Sequence, residues 1–208
     1  MQRSFLIFAL AFVALMVGAL FYAAKLPLTE RAKSPDEPPA SALAESAAQA
    51  TAPVIVSFTL ADTDGVQRDF GEWAGKHRLL NFWATWCAPC RREIPLLKEF
   101  QAEQAGDRLQ VIGIAVDFPE PVIAYAEQAE FNYPILVGEM DAMAVAESSG
   151  VDFIGLPFTM VVADDGELVG THMGEIHQQH LDDIASILAR FDRGEVDKAT
   201  VRRTINSL

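Results

Sequence analysis

Cysteine is scarce in this chain, because its 208 residues include only two, Cys87 and Cys90. Two cysteines cannot build the set of several disulfides that holds a small secreted domain together. The four histidines, at positions 77, 172, 177 and 180, supply no ligand pair whose spacing would complete a zinc site with the cysteines. We therefore predict neither a disulfide-stapled miniprotein nor a metal centre.

Basic residues are also few: 16 Lys and Arg stand against 29 Asp and Glu, and the formal net charge is −13. A surface of this sign repels a phosphate backbone, so nucleic acid is not expected as a partner. Internal repeats are absent as well. Hydrophobic residues make up 50% of the chain, which is enough for the core of one ordinary domain.

The chain begins with a long stretch that lacks charge, residues 5–24. A helix of this length would span about 30 Å, which is the thickness of the hydrocarbon core of a bilayer. A cleaved signal peptide is the alternative, but a cut after Ala24 would place the bulky Tyr22 where a small residue is usual. We predict residues 1–25 to be an uncleaved membrane anchor. Its flanking charges do not fix its orientation.

The segment after the anchor, residues 26–53, has no aromatic residue and is rich in Pro, Ala, Ser and Glu. Such a composition buries little apolar surface, so we predict a disordered linker. Residues 54–192 have a globular pattern in which strands alternate with helices, followed by a hairpin and a closing helix. This pattern predicts an α/β domain with a mixed central sheet flanked by helices. Residues 193–208 are interpreted as a C-terminal tail.

The two cysteines form a Cys-x-x-Cys motif, placed where a predicted buried strand, Leu79–Ala84, gives way to a helix. Unpaired N–H groups and the positive end of the helix dipole favour a thiolate at such a helix start. The pKa of the thiol in such motifs is lowered to about 3.5–7.5. We predict Cys87 to be the exposed nucleophile and Cys90 to resolve the mixed disulfide. A structural disulfide is the alternative, but closing so short a loop would stabilise little.

Residues 82–95, Phe-Trp-Ala-Thr-Trp-Cys-Ala-Pro-Cys-Arg-Arg-Glu-Ile-Pro, resemble the active-site stretch of the thioredoxin superfamily. The stretch is most similar to the membrane-anchored TlpA, ResA and CcmG branch, and the likeness runs from about Ser57 to Arg190. The resemblance implies a thioredoxin fold with an N-terminal strand pair. It also implies a thiol–disulfide oxidoreductase, here a protein-disulfide reductase, with the redox-active Cys87–Cys90 disulfide and no further cofactor.

The resemblance assigns roles to four more residues. Pro157 matches the family's cis-proline, beside which the Leu156 backbone would pair with an extended substrate strand. Glu93 matches an acidic residue beside the cysteine pair, which could exchange protons with Cys90. Trp86 matches an aromatic residue that shapes the contact surface. The alternatives are a trans proline opening a strand, a solvated helix residue at position 93, and core packing at position 86.

One position departs from the pattern of cytosolic thioredoxins. They carry a buried aspartate where this chain has Asn81. An asparagine side chain cannot take up a proton at physiological pH, so Glu93 becomes the better candidate for handling the proton of Cys90.

The resemblance also implies location and partners. The catalytic domain would lie on the periplasmic side of a bacterial inner membrane and reduce disulfides of exported proteins, such as apocytochrome c or copper-site proteins. Electrons would come from a membrane thiol transporter like DsbD or CcdA.

Two other functions stay open. One is a DsbA-like oxidant, although the span from Asp117 to Phe158 is too short for the helical insertion of that group. The other is delivery of Cu(I) through the cysteine pair. The remaining candidate copper ligands are more typical of surface or packing positions: His172, His177, His180, Met140, Met143 and Met173.

The assigned order of the two thiols predicts a trapping result. Cys90→Ser should accumulate mixed disulfides with partner proteins, because nothing then resolves the bond that Cys87 forms. Cys87→Ser should not. Non-reducing electrophoresis after acid quenching measures the adducts, and trapping by the Cys87→Ser variant alone would reverse the assignment.

Overall fold

The computed structural model of this chain describes residues 53–104, 108–152 and 154–208. The predicted anchor, 1–25, and all but the last residue of the predicted linker, 26–53, lie outside these residues, so both stay predictions. Within the described ranges, no helix is both long and apolar enough to cross a membrane.

The described residues form seven strands, five α-helices and one short 3-10 helix. The strands are β1 (Thr59–Asp62), β2 (Gln67–Asp69), β3 (His77–Trp83), β4 (Leu109–Val116), β5 (Ile135–Gly138), β6 (Phe158–Val162) and β7 (Leu168–Met173). The helices are α1 (Ala88–Glu103), α2 (Pro119–Ala129), α3 (Met140–Ser148), α4 (Gln178–Asp192) and α5 (Lys198–Ile205), and the 3-10 helix is Phe70–Trp73.

All seven strands belong to one sheet, in the order β2-β1-β5-β4-β3-β6-β7. Strands β3, β4 and β5 are parallel, whereas β6 is antiparallel to β3 and β7 is antiparallel to β6. Strands β1 and β2 form an antiparallel pair that joins β5. The predicted mixed α/β sheet with an N-terminal strand pair is confirmed. One edge of the sheet, here called the carboxyl edge, is where β3, β4 and β5 end, β6 begins and β7 ends.

Strand β3 lies at the centre, and all seven of its residues are buried. Its side chains alternate between two cores, as the pleat of a strand requires. Leu79 and Trp83 join the core beneath α1 and α4, and Leu80 and Phe82 join the core beneath α3 and the N-terminal strand pair. Cover on both faces explains why five of the six residues from Leu79 to Ala84 are apolar.

The C-terminal segment, residues 193–208, is not a tail outside the domain. It contains α5, and Val201 and Ile205 of this helix are buried in the core beneath α1 and α4. The Ile205 side chain lies so close to Gly170 that a Cβ at position 170 would meet it at 2.6 Å. The prediction of a tail was wrong because the two apolar positions of α5, four residues apart, form too short a pattern to be read alone.

Helix α5 should therefore contribute to the stability of the domain. Ile205→Ala is expected to lower the free energy of unfolding by about 2–5 kcal/mol, the usual cost of emptying a filled apolar site. Arg203→Ala, at an exposed position of the same helix, should change it by less than about 0.5 kcal/mol. Urea unfolding followed by tryptophan fluorescence measures both, and equal stabilities would show that α5 adds nothing to the fold.

Candidate active site

The cysteine pair lies at the junction of β3 and α1, on the carboxyl edge. Cys87 is the N-cap residue of α1, and its Sγ accepts a hydrogen bond from the Cys90 N–H at 3.3 Å. Pro89 stands in the first helical turn, where its missing N–H removes no helical hydrogen bond. The local sequence thus starts a helix immediately at the first cysteine, as predicted.

Cys87 and Cys90 form a disulfide with their Cα atoms 5.3 Å apart. Cys90 is 0% exposed and Cys87 only 5% exposed, so the prediction that Cys87 is exposed was wrong for this oxidised state. The physical reason is that the Cys87 sulfur bonds to a fully buried partner. Trp86 carries the exposed surface here instead, at 69%. Cys87 is still the more accessible of the two sulfur-bearing residues.

The loop before Cys87 is tied to the end of β4 by Asp117. One carboxylate oxygen of this buried residue accepts from the Thr85 N–H at 3.0 Å and from the Thr85 hydroxyl at 2.6 Å. The other oxygen accepts from the Phe118 N–H at 2.9 Å. The sequence reasoning missed this contact, although a polar residue directly after a buried parallel strand was a signal for it.

Glu93 lies on α1 one turn after Cys90, and its side chain is buried rather than solvated. Oε1 accepts from the Asn81 side-chain amide at 2.7 Å, and Oε2 accepts from the Ile176 N–H at 2.7 Å. Asn81 is on β3, and Ile176 is in the loop between β7 and α4. No side-chain pattern could reveal the Ile176 contact, because the donor is a backbone group.

Burial raises the pKa of Glu93 to about 7, against the opposing effect of the hydrogen bonds from Ile176 and Asn81. A carboxyl group with this pKa is present in both protonation states near neutral pH, which suits proton exchange. Residues three apart on a helix share a face, so Glu93 and Cys90 both point into the core beneath α1. The geometry supports the proposed proton exchange between them, which stays a prediction.

The Leu156–Pro157 peptide bond is cis, as predicted. Pro157 precedes β6, whose Phe158 pairs with Phe82 near the end of β3, so the proline lies on the carboxyl edge with the cysteine pair. The Pro157 carbonyl accepts from the Gly174 N–H at 2.9 Å. Roles of Trp86, Leu156 and Pro157 in substrate binding stay predictions.

The histidines divide between two places. His77 is at the start of β3, where its Nε2 lies 2.9 Å from Asp192. His172 and His180 have ring centroids 4.3 Å apart near the start of α4, with His177 beside them. His172 is buried, so its interpretation as a surface residue was wrong: it sits inside β7. Among the described residues, no cluster of three or more His, Cys, Asp or Glu could hold a metal ion.

The methionines also differ from expectation. Met143 is half-buried against the core beneath α3. Met140 and Met173 are exposed, at 71% and 41%, so the packing interpretation was wrong for these two. Met140 follows the end of β5 and Met173 is the last residue of β7, so both lie at the carboxyl edge.

Comparison with known proteins identifies the family to which this domain belongs. The model of the Redoxin family matches residues 47–188. The chain belongs to the Redoxin family. The thioredoxin-superfamily resemblance and the thioredoxin fold are thereby confirmed.

Individual relatives of this chain have names that state a reaction or a fold. The thiol-disulfide oxidoreductase ResA of Geobacillus kaustophilus is 30% identical over 145 residues, which are 67% of this chain and 81% of that protein. The thioredoxin-like protein YneN of Bacillus subtilis is 30% identical over 129 residues, 60% of this chain and 72% of YneN. A thioredoxin-family thiol:disulfide interchange protein from Chlorobium tepidum is 26% identical with a TM-score of 0.58, covering 67% of this chain and 96% of that structure.

The raised pKa of Glu93 predicts a pH dependence of stability. The folded protein keeps this proton up to a pH of about 7, whereas the unfolded chain loses it near 4.5. Protonation of Glu93 therefore favours folding at low pH, and this stabilisation is lost as the pH rises through that window. From about pH 4 to about pH 8, the free energy of unfolding should fall by about 3 kcal/mol more in the wild type than in Glu93→Gln.

Urea unfolding of the oxidised protein across this pH range makes the measurement. Glu99→Gln, at an exposed position of the same helix, is the control and should keep the wild-type pH dependence. In the reduced protein, Glu93→Gln should also slow thiol–disulfide exchange. Parallel pH profiles for wild type and Glu93→Gln, with unchanged exchange rates, would leave Glu93 as an ordinary buried residue.

Proposed function

We propose that this thiol–disulfide oxidoreductase works as a reductase of disulfides in exported proteins. The observation that carries the proposal is the joint placement of a Cys-x-x-Cys pair at the start of α1 and a buried carboxyl group of pKa about 7 one turn behind it. Named relatives of this chain are thiol-disulfide oxidoreductases, which supports the reaction class.

The reaction needs two exchange steps. The Cys87 thiolate attacks one sulfur of the substrate disulfide, which forms a mixed disulfide and releases the other substrate sulfur as a thiolate. The Cys90 thiolate then attacks the Cys87 sulfur, which forms the Cys87–Cys90 bond and releases the second substrate thiolate. Two electrons pass from the protein to the substrate.

Glu93 supplies a proton acceptor for the second step. Cys90 is 0% exposed in the disulfide form, so a protein group rather than bulk water is the better placed acceptor for its proton after reduction. A Glu93 carboxylate on the same helix face can take the Cys90 proton before attack and return it when the disulfide is reduced again. The fixed donors from Asn81 and Ile176 hold the carboxylate in place during both steps.

Several parts of the proposal rest on the sequence alone. The uncharged stretch of residues 5–24 supports a membrane anchor, and the family likeness supports a periplasmic domain. On this proposal the substrates belong to cytochrome c or copper-site maturation. A DsbD- or CcdA-like membrane protein resupplies two electrons per turnover, and no cofactor beyond the cysteine pair takes part.

A reductant is favoured over a DsbA-like oxidant by the connection between β5 and β6. Among its described residues, the one helix is α3, which spans the nine residues Met140–Ser148. This connection has no room for the large helical insertion of DsbA-like proteins. The connection between β5 and β6 therefore lacks the feature that distinguishes DsbA-like oxidants, which supports the reductant interpretation.

The reduction potential of the Cys87–Cys90 pair tests the proposal. We expect a value at or below that of thioredoxin, about −270 mV, because a strong reductant holds its disulfide state stable. Equilibration of the full-length protein with glutathione or dithiothreitol buffers, read by alkylation and mass spectrometry, gives the value. A potential near that of DsbA, about −120 mV, would contradict a reductase.

A Cu(I) titration, run beside an insulin-reduction assay, distinguishes the reductase from the copper-delivery alternative. The reduced protein should accelerate insulin reduction and bind Cu(I) no more tightly than a simple dithiol. The double variant Cys87→Ser/Cys90→Ser is the blank for both assays. Tight Cu(I) binding without insulin reduction would replace the proposed function by copper delivery.

A further inference from the structure

Exposed apolar side chains are concentrated on the carboxyl edge. Among the described residues, nine large hydrophobic side chains are exposed, and the three most exposed are Ile154 at 77%, Met140 at 71% and Trp86 at 69%. All three lie on this edge, and so do Phe118 and Met173. The other four, Val54, Ile55, Val66 and Ile123, lie elsewhere.

The topology explains why these five side chains meet. Trp86, Phe118 and Met140 follow the ends of the parallel strands β3, β4 and β5. Ile154 precedes β6, and Met173 is the last residue of β7, which pairs with Phe158 at the start of β6. Each side chain therefore stands at the same edge as the Cys87–Cys90 bond.

Hydrogen bonds join some of the segments at this edge. Asp117 joins the loop of Trp86 to that of Phe118 through the Thr85 and Phe118 N–H groups. The bond from Gly174 to Pro157 joins the end of β7 to the loop before β6. A group of exposed apolar side chains around a reactive disulfide indicates a binding partner.

Apart from Arg91 and Arg92, which follow the cysteine pair, the charge around this surface is negative. Between Arg108 and Arg190 the chain has 81 consecutive residues with no Lys or Arg and with 14 Asp and Glu. This stretch supplies β4, β5, β6 and β7 and their connections. Four of its exposed carboxylates lie just after the ends of β4 and β5 or in the loop that leads back to β6, and none forms an ion pair with another described residue: Glu120, Glu139, Asp141 and Asp152.

The basic residues of the domain lie mostly away from this edge. Lys76 and Arg108 precede β3 and β4, at the opposite edge of the sheet, and Arg190 is near the end of α4. Arg91 and Arg92 follow the cysteine pair, but Arg92 is paired with Glu175. A partner approaching the side of the edge formed by β4, β5 and β6 therefore meets carboxylates.

We propose that the carboxyl edge is a docking surface for polypeptide segments whose disulfide is flanked by apolar and basic residues. The docking surface consists of the five exposed apolar side chains named above and the four carboxylates. This inference rests on the proposed function and adds a substrate class to it. The occupant is a chain that has not folded, because a folded protein buries most of its large apolar residues.

The two parts of the surface act at different distances. The apolar side chains act only in contact, so they hold a bound segment. The carboxylates also attract a basic segment before contact, because the electrostatic screening length is about 8 Å at physiological salt. Electrostatic steering of this kind raises association rates by a factor of about 10 to 1000 at low salt. Selectivity should therefore appear in kcat/KM and shrink with added salt.

The test uses the full-length reduced protein in a nonionic detergent and four synthetic peptides of equal length. Each peptide contains one intramolecular disulfide. Three share Leu and Phe beside the cysteines and differ in flanking Lys, Ser or Glu; the fourth has Lys flanks and Ser in place of Leu and Phe. We expect kcat/KM at low salt to be about tenfold higher for Lys than for Glu flanks. The fourth peptide should react more slowly than its apolar counterpart.

A matched pair of charge variants locates the effect. Glu120→Gln/Glu139→Gln/Asp141→Asn/Asp152→Asn should remove most of the difference between Lys-flanked and Glu-flanked peptides. The control Asp64→Asn/Glu103→Gln/Glu127→Gln/Glu147→Gln changes the net charge equally at exposed positions away from the carboxyl edge, and should keep it. The Glu139 side chain makes no capping hydrogen bond in α3. Circular dichroism checks that both variants fold.

The outcomes separate this inference from the function on which it rests. Equal kcat/KM values for all four peptides, at every salt concentration, would overturn the docking surface and leave the reductase intact. Loss of selectivity in both quadruple variants would also overturn it, since net charge alone would then explain the preference. Failure to reduce any peptide would overturn the proposed function and this inference with it.

Discussion

The buried carboxyl group of Glu93 is the constraint on which the active site depends. A carboxyl group taken out of water needs hydrogen-bond partners, and here the two donors come from different parts of the fold. Asn81 donates from the central strand, and Ile176 donates from the loop that leads into α4. Helix α1, with Cys90 one turn before Glu93, is thereby held against both. A change in the charge of Glu93 therefore alters the hydrogen bonds that join α1, β3 and the loop before α4.

This arrangement puts stability and reactivity in opposition. A solvated glutamate in place of Glu93 would cost the fold nothing at neutral pH, but it would be almost fully ionised and a weaker base. Burial raises the pKa of Glu93 to about 7, which makes the group a useful proton acceptor near neutral pH. The same burial makes the ionised form destabilise the folded state. The protein keeps a destabilising group at the position where proton exchange with Cys90 is proposed.

Much of the fold and the cysteine chemistry could be predicted, because the signals were local. The apolar run of β3 and the Cys-x-x-Cys spacing each lie within a few residues, and the cis-proline followed from the family resemblance. The misses share a different origin. The burial of Cys87 depends on its bond to a buried partner, and the packing of α5 depends on Gly170, which is far away in sequence. The Ile176 contact uses a backbone amide, which has no side-chain signature. Long-range packing and backbone donors are therefore what the sequence pattern left out.

The two outer strands of the sheet end it in different ways. Strand β2 has three residues and carries Arg68, which is paired with Asp62 and Glu72. Strand β7 is longer, but α5 lies against it, and the Thr171 N–H donates to the Asn206 side chain at 2.8 Å instead of to another strand. An open strand edge invites pairing with any extended chain that comes near. A protein proposed to handle unfolded, disulfide-bearing chains meets such chains at every turnover. With β2 short and charged and β7 covered by α5, neither outer strand offers a long open edge to an extended substrate chain.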